Sequence, residues 1–262
     1  MQNQASELAI STLASTEVKP SSTSALRIVD LCYAYADCPA VLQSVTFNIA
    51  SGESVGLIGP NGAGKTTLFL SICGVLTPQK GEIALFEQRV QPGKFRPEIG
   101  LVFQNPSDQL FSLSVEEDVA FGPVNMGFSH EAVEERVREA LQLTGVASLR
   151  HRPPHHLSGG ERRMVAIASV LAMQPQMVIY DEPSANLDVR SRRRLIRFLQ
   201  EASQTTLVSS HDLELVLEVC DRVILLDQGH IIADGIASEI MADNALMEAH
   251  GLERPHSLSH SQ

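Results

Sequence analysis

The sequence predicts an α/β fold with a mainly parallel core sheet and an inserted helical subdomain. Three observations predict it. Strand and helix signals alternate from residue 26 to about residue 226, the pattern that builds a parallel sheet with helices on its faces. The run ESVGLIG (53–59) is short, apolar and closed by glycine, as suits a strand buried on both faces. The block 106–174 reads as almost purely helical, so it interrupts the order of the sheet. With 262 residues, 44% of them hydrophobic, the chain can bury a core without disulfide or metal staples.

The elements follow in order. Residues 1–25 are rich in Ser, Thr, Ala and Gln and read as a disordered leader. LRIVDLCYAY (26–35) and VLQSVTFNI (41–49) alternate as strands. A third strand ends at Gly59, and a helix is expected over 65–73. Strands are expected near 82–86 and 98–103. Ser129 can cap a helix through Leu143, with Val133, Val137 and Leu141 on one face and Gly145 as the stop. Helix 159–172, strand 176–180, helix 189–202, strand 205–209, helix 212–219 and strand 222–226 complete the alternation. The end from 246 to 262, with His250, His256 and His260 among polar residues, reads as a flexible tail. The arginines Arg190, Arg192, Arg193, Arg194 and Arg197 read as a solvated helix face.

Charge and cysteine usage exclude several classes. The formal net charge is −11, a poor match for nucleic acid, whose phosphates require Lys and Arg. Cys32, Cys38, Cys73 and Cys220 form no C-x-x-C pair and match no zinc spacing; they read as reduced thiols of a cytosolic protein. The longest apolar run, Met164 to Met173, already contains Ser169 and falls far short of the ~20 residues that span a bilayer.

Two motifs carry chemistry. GPNGAGKT (59–66) fits G-x-x-x-x-G-K-[ST], and a chance match somewhere in such a chain is about 1% at ordinary residue frequencies. It lies between a predicted strand and a predicted helix. Gly62 and Gly64 let backbone N–H groups converge on phosphate oxygens, and the helix N-terminus adds partial positive charge. The candidate nucleotide ligands here are Gly59, Pro60, Asn61, Gly62, Ala63, Gly64, Lys65, Thr66 and Thr67. Lys65 would reach the β- and γ-phosphates, and Thr66 would offer a hydroxyl to Mg²⁺. MVIYDE (177–182) is an apolar run that ends in two carboxylates, and it can lie beside the phosphate-loop strand. Asp181 would then hold Mg²⁺, and Glu182 would take a proton from an attacking water.

LSGGE (157–161) has capping-box spacing between Ser158 and Glu161, and Gly159 and Gly160 leave helix N–H groups open to an anion. Alone this is a well-capped helix. Together with the phosphate loop and the acidic strand, it makes the chain resemble the ATP-binding subunits of ABC transporters over about residues 26–245. That resemblance implies a P-loop NTPase fold with an N-terminal antiparallel β part. It implies that Tyr35 stacks on adenine, where the residues alone leave a core tyrosine as the rival. It implies that Gln104 in LVFQNP touches Mg²⁺ and the attacking water, that Asp188 in SANLD lies in a loop crossing a dimer interface, and that His211 in SSHDLE contacts the γ-phosphate. Catalysis would rest on Glu182, His211 and Gln104, and Mg²⁺ on Thr66, Gln104 and Asp181. ATP would sit between Lys65 of one protomer and Ser158, Gly159 and Gly160 of another, in a homodimer or heterodimer. Glu161 and Asn186 depart from the family's more frequent Gln and small residue.

QNPSDQLFSLSVEEDVAFGPVNMG (104–127), PHHLSGGERR (154–163), HDLELVLEVCDRV (211–223) and AHGLERP (249–255) look like energy-coupling-factor importers, most like those for cobalt or nickel. The resemblance implies membrane-subunit partners that dock near Asn105 to Phe111, and a peripheral position on the cytoplasmic face of the membrane. A vitamin importer of the same class and a soluble non-transport ABC ATPase are the alternatives. His151, His155 and His156 are read as loop spelling, without a ligand role.

Overall fold

Strand burial sets the layering. A computed structural model describes residues 24–36 and 38–260; residues 1–23 of the expected leader lie outside the described residues. The strands and helices run β1 Ser24–Tyr35, β2 Cys38–Ala50, β3 Ser54–Ile58, α1 Lys65–Ile72, β4 Lys80–Leu85, β5 Gln88–Arg89, β6 Ile99–Val102, α2 Val115–Asn125, α3 His130–Leu143, α4 Gly159–Leu171, β7 Met177–Asp181, α5 Val189–Gln200, β8 Thr205–Ser209, α6 Leu213–Val219, β9 Arg222–Asp227, β10 His230–Ile236, α7 Ala237–Ala242 and α8 Asn244–Ala249. A six-stranded sheet has the order β10-β9-β3-β8-β7-β6. It is parallel from β9 to β6, with β10 antiparallel at its edge. A four-stranded antiparallel sheet, β2-β1-β4-β5, lies in the N-terminal part.

Every residue of β7 and β8 is buried, because both faces of the central sheet are covered. The two-residue period divides them between two cores. Val178 and Tyr180 pack with the helices α2 to α6. Met177 and Ile179 face the other way, toward α1 and the antiparallel sheet. The helices between β6 and β7 begin at caps written in the sequence: the side chains of Ser114, Ser129 and Ser158 accept from Glu117, Ala132 and Glu161 backbone N–H groups. Gly145, at φ 65°, follows the C-cap of α3.

Several expectations are corrected. β7 does not adjoin β3; β8 lies between them, so the phosphate loop and the acidic strand end are one strand apart. Ser24 and Ala25 belong to β1, and Ala25 is fully buried, so the leader cannot extend to residue 25. The stretch from 246 is not a free tail. Met247 and Leu252 are buried, His250 Nδ1 lies 2.8 Å from Asp227 Oδ2, and the Glu214 carboxylate accepts from Ser257 N and Oγ at 3.1 and 2.7 Å. Met247 and Leu252 anchor it, with Leu246 and Leu258 packed against the same core. The arginine face is only partly solvated, because α5 docks on α6 and on the end of α3. Arg192 pairs with Asp212 and Arg193 with Glu218, and Arg194 donates to Thr144 O and Gly145 O at 2.6 Å. β5, β10, α7 and α8 were not expected from the sequence; β5 is two residues long and α7 and α8 six each, too short for a period to show. Among the described residues no helix is long and apolar enough to cross a membrane.

Close packing of α4 on the sheet has a measurable consequence. A Cβ built on Gly100 in β6 would lie 2.2 Å from Val170 Cγ1 in α4. Val is stiff at χ1, so Gly100→Ala should destabilise the chain by about 1–3 kcal/mol. Urea unfolding measures it; an unchanged midpoint would mean that the layer yields.

Candidate active site

The loop after β3 folds as it does because only glycine fits it. Gly59, Gly62 and Gly64 have φ of 151°, 80° and 108°. A Cβ on Gly59 would meet Leu226 O at 2.0 Å, and one on Gly64 would meet Val41 O at 2.9 Å. α1 starts at Lys65 with no side-chain cap, so its first N–H groups are left for a ligand. The Lys65 ammonium, 8% exposed, folds back to donate to Gly59 O at 2.7 Å and Pro60 O at 3.1 Å. Burial pushes its pKa down, against the opposing charges of Glu182 and Asp181. A phosphate there would restore a full ionic partner.

A cleft of about 300 Å³ opens beside the loop, lined by its residues and by Tyr35, Gln104, Asp181, Glu182 and His211. Thr66 Oγ1 donates to Asp181 Oδ2 at 3.2 Å, which puts a hydroxyl and a carboxylate together as hard oxygen ligands suited to Mg²⁺. Glu182 sits at φ 46°, a conformation that costs a side-chain-bearing residue energy. Its backbone is held there by N–H donation to Ser209 O at 3.0 Å. Oε2 accepts from His211 N at 3.0 Å. Oε1 is buried, has no hydrogen-bond partner among the described residues, and lies 3.4 Å from His211 Nε2. One oxygen is thus anchored, and the other keeps its hydrogen-bonding capacity unused.

Tyr35 is 43% exposed, which removes the core-tyrosine alternative. Its hydroxyl is 3.3 Å from Thr67 Oγ1, and its ring meets Tyr33 edge-on. Ser158, Gly159, Gly160 and Asp188 are not on this cleft. Ser158 caps α4 while its own N and Oγ both donate to Glu161 Oε2 at 2.8 Å, and these bonds hold the Glu161 carboxyl below its usual range. Asp188 caps α5 through Ser191 N and Oγ, both at 2.9 Å. A Cβ on Gly160 would strike Ser191 Oγ at 2.1 Å, so the starts of α4 and α5 are in contact.

Sequence reasoning missed two participants, Ser209 and Arg163, and also the contact that Asn61 of the phosphate loop makes with His211. Ser209 Oγ donates to Asp181 Oδ1 at 2.7 Å and accepts from Glu182 N at 3.2 Å; a strand-end serine carries no signal of this. Asn61 Oδ1 lies 2.8 Å from His211 Nε2. Arg163 Nη1 and Nη2 donate to Phe103 O and Gln104 O at 2.7 and 2.6 Å. The neighbouring histidines go elsewhere: His151 faces Glu116, and His155 and His156 meet edge-on.

Residues 42–185 match the family model described as ABC transporter. The chain belongs to the ABC transporter family. A putative ABC transporter ATP-binding protein of Synechocystis sp. is 57% identical, covering 89% of this chain and 82% of the relative. The energy-coupling factor transporter ATP-binding protein EcfA of Methanothermobacter thermautotrophicus is 44% identical over 88% of this chain and 76% of its own. Among solved structures, CbiO1 from Clostridium perfringens, described as part of the ABC transporter complex CbiONQ, aligns with a TM-score of 0.78 and 36% identity, covering 87% of this chain and 94% of that one. As an ABC ATPase subunit, the chain binds ATP and couples its hydrolysis to transport.

In this ABC ATPase Ser209→Ala leaves one buried Asp181 oxygen without its donor. The expected cost is about 1–3 kcal/mol of stability, read from urea unfolding of the nucleotide-free protein. No change would mean that another donor replaces the hydroxyl.

Proposed function

We propose that the chain is the ATP-hydrolysing subunit of an energy-coupling-factor importer, with cobalt or nickel ions as cargo. The observation that carries the catalytic part is the pair of Glu182 oxygens, one anchored to His211 N and one with its hydrogen-bonding capacity unused beside Asp181 and the phosphate loop. Lys65 leaves its two carbonyl partners for the β- and γ-phosphates, and the N–H groups of the loop take the remaining phosphate oxygens. Mg²⁺, when bound, would be held by Thr66, Asp181 and Gln104 and would offset phosphate charge. Glu182 Oε1 accepts the proton of the attacking water. His211 turns from Asn61 toward the γ-phosphate. Tyr35 stacks on the adenine.

The second half of the ATP site comes from another copy. Ser158, Gly159, Gly160 and Asp188 lie off the cleft, so a head-to-tail homodimer or heterodimer supplies them in trans, with ATP as the ligand of the closed state. A separate groove of about 570 Å³ includes Phe95, Phe103, Phe111, Phe121 and Met173. Phe95, Phe111 and Phe121 are more than half exposed, an apolar surface of the kind that marks a partner site. Helices of integral membrane subunits dock there, beside Gln104. That places the chain peripherally on the cytoplasmic face of a membrane. The likeness to EcfA and to CbiO1 supports the importer class. The cobalt or nickel assignment rests on the resemblance of residues 104–127, 154–163, 211–223 and 249–255.

Glu182→Gln should keep ATP binding and lose about 10²–10⁴-fold in turnover. With ATP it should elute as a dimer and revert to a monomer without nucleotide. An ATP-loaded mutant that stays monomeric at high concentration sinks the dimer, and near-normal turnover removes Glu182 from its role. For cargo, cells with the complete transporter should accumulate cobalt or nickel with the wild-type chain and not with Lys65→Ala. If uptake of both ions is unaffected while that of a B vitamin collapses, the metal assignment is wrong and the ATPase stands.

A further inference from the structure

Arg163 lies one helical turn beyond Gly160 on α4, and it is 2% exposed. Its guanidinium forks onto two successive carbonyls, Phe103 O and Gln104 O. Both lie past the end of β6 at Val102, where the ladder to β7 has stopped and the carbonyls have no strand partner. Arginine suits this site because its two terminal nitrogens sit side by side in one rigid plane; lysine brings a single point donor. The same segment is fixed from its other side. Gln109 Oε1 accepts from Phe103 N at 3.2 Å, and Gln109 Nε2 donates to Ala166 O and Ser169 Oγ of α4 at 2.6 and 2.9 Å. Residues 103–104 therefore hang from α4 more than from the sheet.

The guanidinium of Arg163 acts through its fork onto these carbonyls and not through an ion pair. No carboxylate forms an ion pair with it among the described residues, and its Nε has no hydrogen-bond partner among them. Burial pushes its pKa down to about 10, with the Asp181 charge acting in the opposite direction. Removing the guanidinium takes the donors away from two backbone carbonyls, which costs stability unless water replaces them. Its two acceptors belong to exposed residues and can turn to water. What would be lost is the placement of Gln104, whose side chain lines the nucleotide cleft.

We infer that Arg163 is a positioning residue that makes Gln104 move with α4, so that an event at either end of that helix sets where Gln104 stands relative to the reacting water. One end carries Ser158 and Gly160; along its length the helix contributes Ser169 and Val170 to the apolar groove. Arg163 and Gln109 make a rigid link between these places and the cleft, of the kind that coupling between sites requires. The inference rests on the proposed role of Gln104 and adds a residue to it.

A double-mutant cycle on the full chain tests this, with kcat and KM for Mg-ATP and Tm measured for Arg163→Met, Arg163→Lys, Gln104→Ala and the paired variants. Arg163→Met and Arg163→Lys should each lower kcat about tenfold and leave KM within twofold, measured well below the Tm of each variant. On the Gln104→Ala background neither should cost anything further, because residues acting as one unit are not additive. Should Arg163→Met fail to fold, Arg163→Lys carries the cycle alone, since it keeps the charge and loses the fork. A wild-type kcat in Arg163→Lys, or the same fold-loss with and without Gln104, overturns the inference and leaves the ATPase reading intact. A wild-type kcat in Gln104→Ala overturns the reading of Gln104 itself, and this inference with it.

Discussion

The hydrogen bond from Thr66 to Asp181 depends on a strand that belongs to neither motif. β8 runs between β3 and β7, so the phosphate loop and the acidic strand end are held apart at the width of one strand. That gap is filled from the end of β8 itself, by Ser209 beneath the carboxylates and His211 above them. Three parallel strands thus deliver their C-terminal ends to one place, where ligands of open α/β sheets bind. Were β7 to adjoin β3 directly, no chain would be available to anchor Glu182 Oε2 or to hold its backbone.

A second dependence runs through the helices inserted between β6 and β7. α4 packs on the sheet through Val170, which closes on Gly100 of β6, and the capping box at its N-terminus is not part of the cleft lining. The cleft and the start of α4 therefore lie at separate places on the chain. Contact between Gly160 and Ser191 joins the start of α4 to that of α5. Rigid elements with few points of freedom convert small displacements into discrete states, because packed interiors do not deform continuously.

Much of this was legible in the sequence, for physical reasons. The phosphate loop, the acidic strand and the serine caps at Ser129 and Ser158 announce themselves because each needs a particular residue at a particular backbone position. Strand 205–209 coincides with β8, whose β-branched run is bounded by polar residues. The position of β8 was not legible, since strand order is a property of crossovers and no local spacing records it. Nor was Ser209, whose hydroxyl matters only through what the sheet places beside it. The arginine run misled for the converse reason: periodicity shows one charged face but not which neighbour that face meets, and Arg192 and Arg194 found Asp212 and the end of α3. The C-terminal stretch looked polar by average composition, while a few apolar side chains, Met247 and Leu252 among them, decide its packing.

Glu182 holds a left-handed backbone conformation that glycine would adopt freely. Relaxing that residue would make the fold more robust and would delete its carboxylate in the same step. With Glu182 in the proposed role of base, backbone relief and turnover make opposite demands on this position.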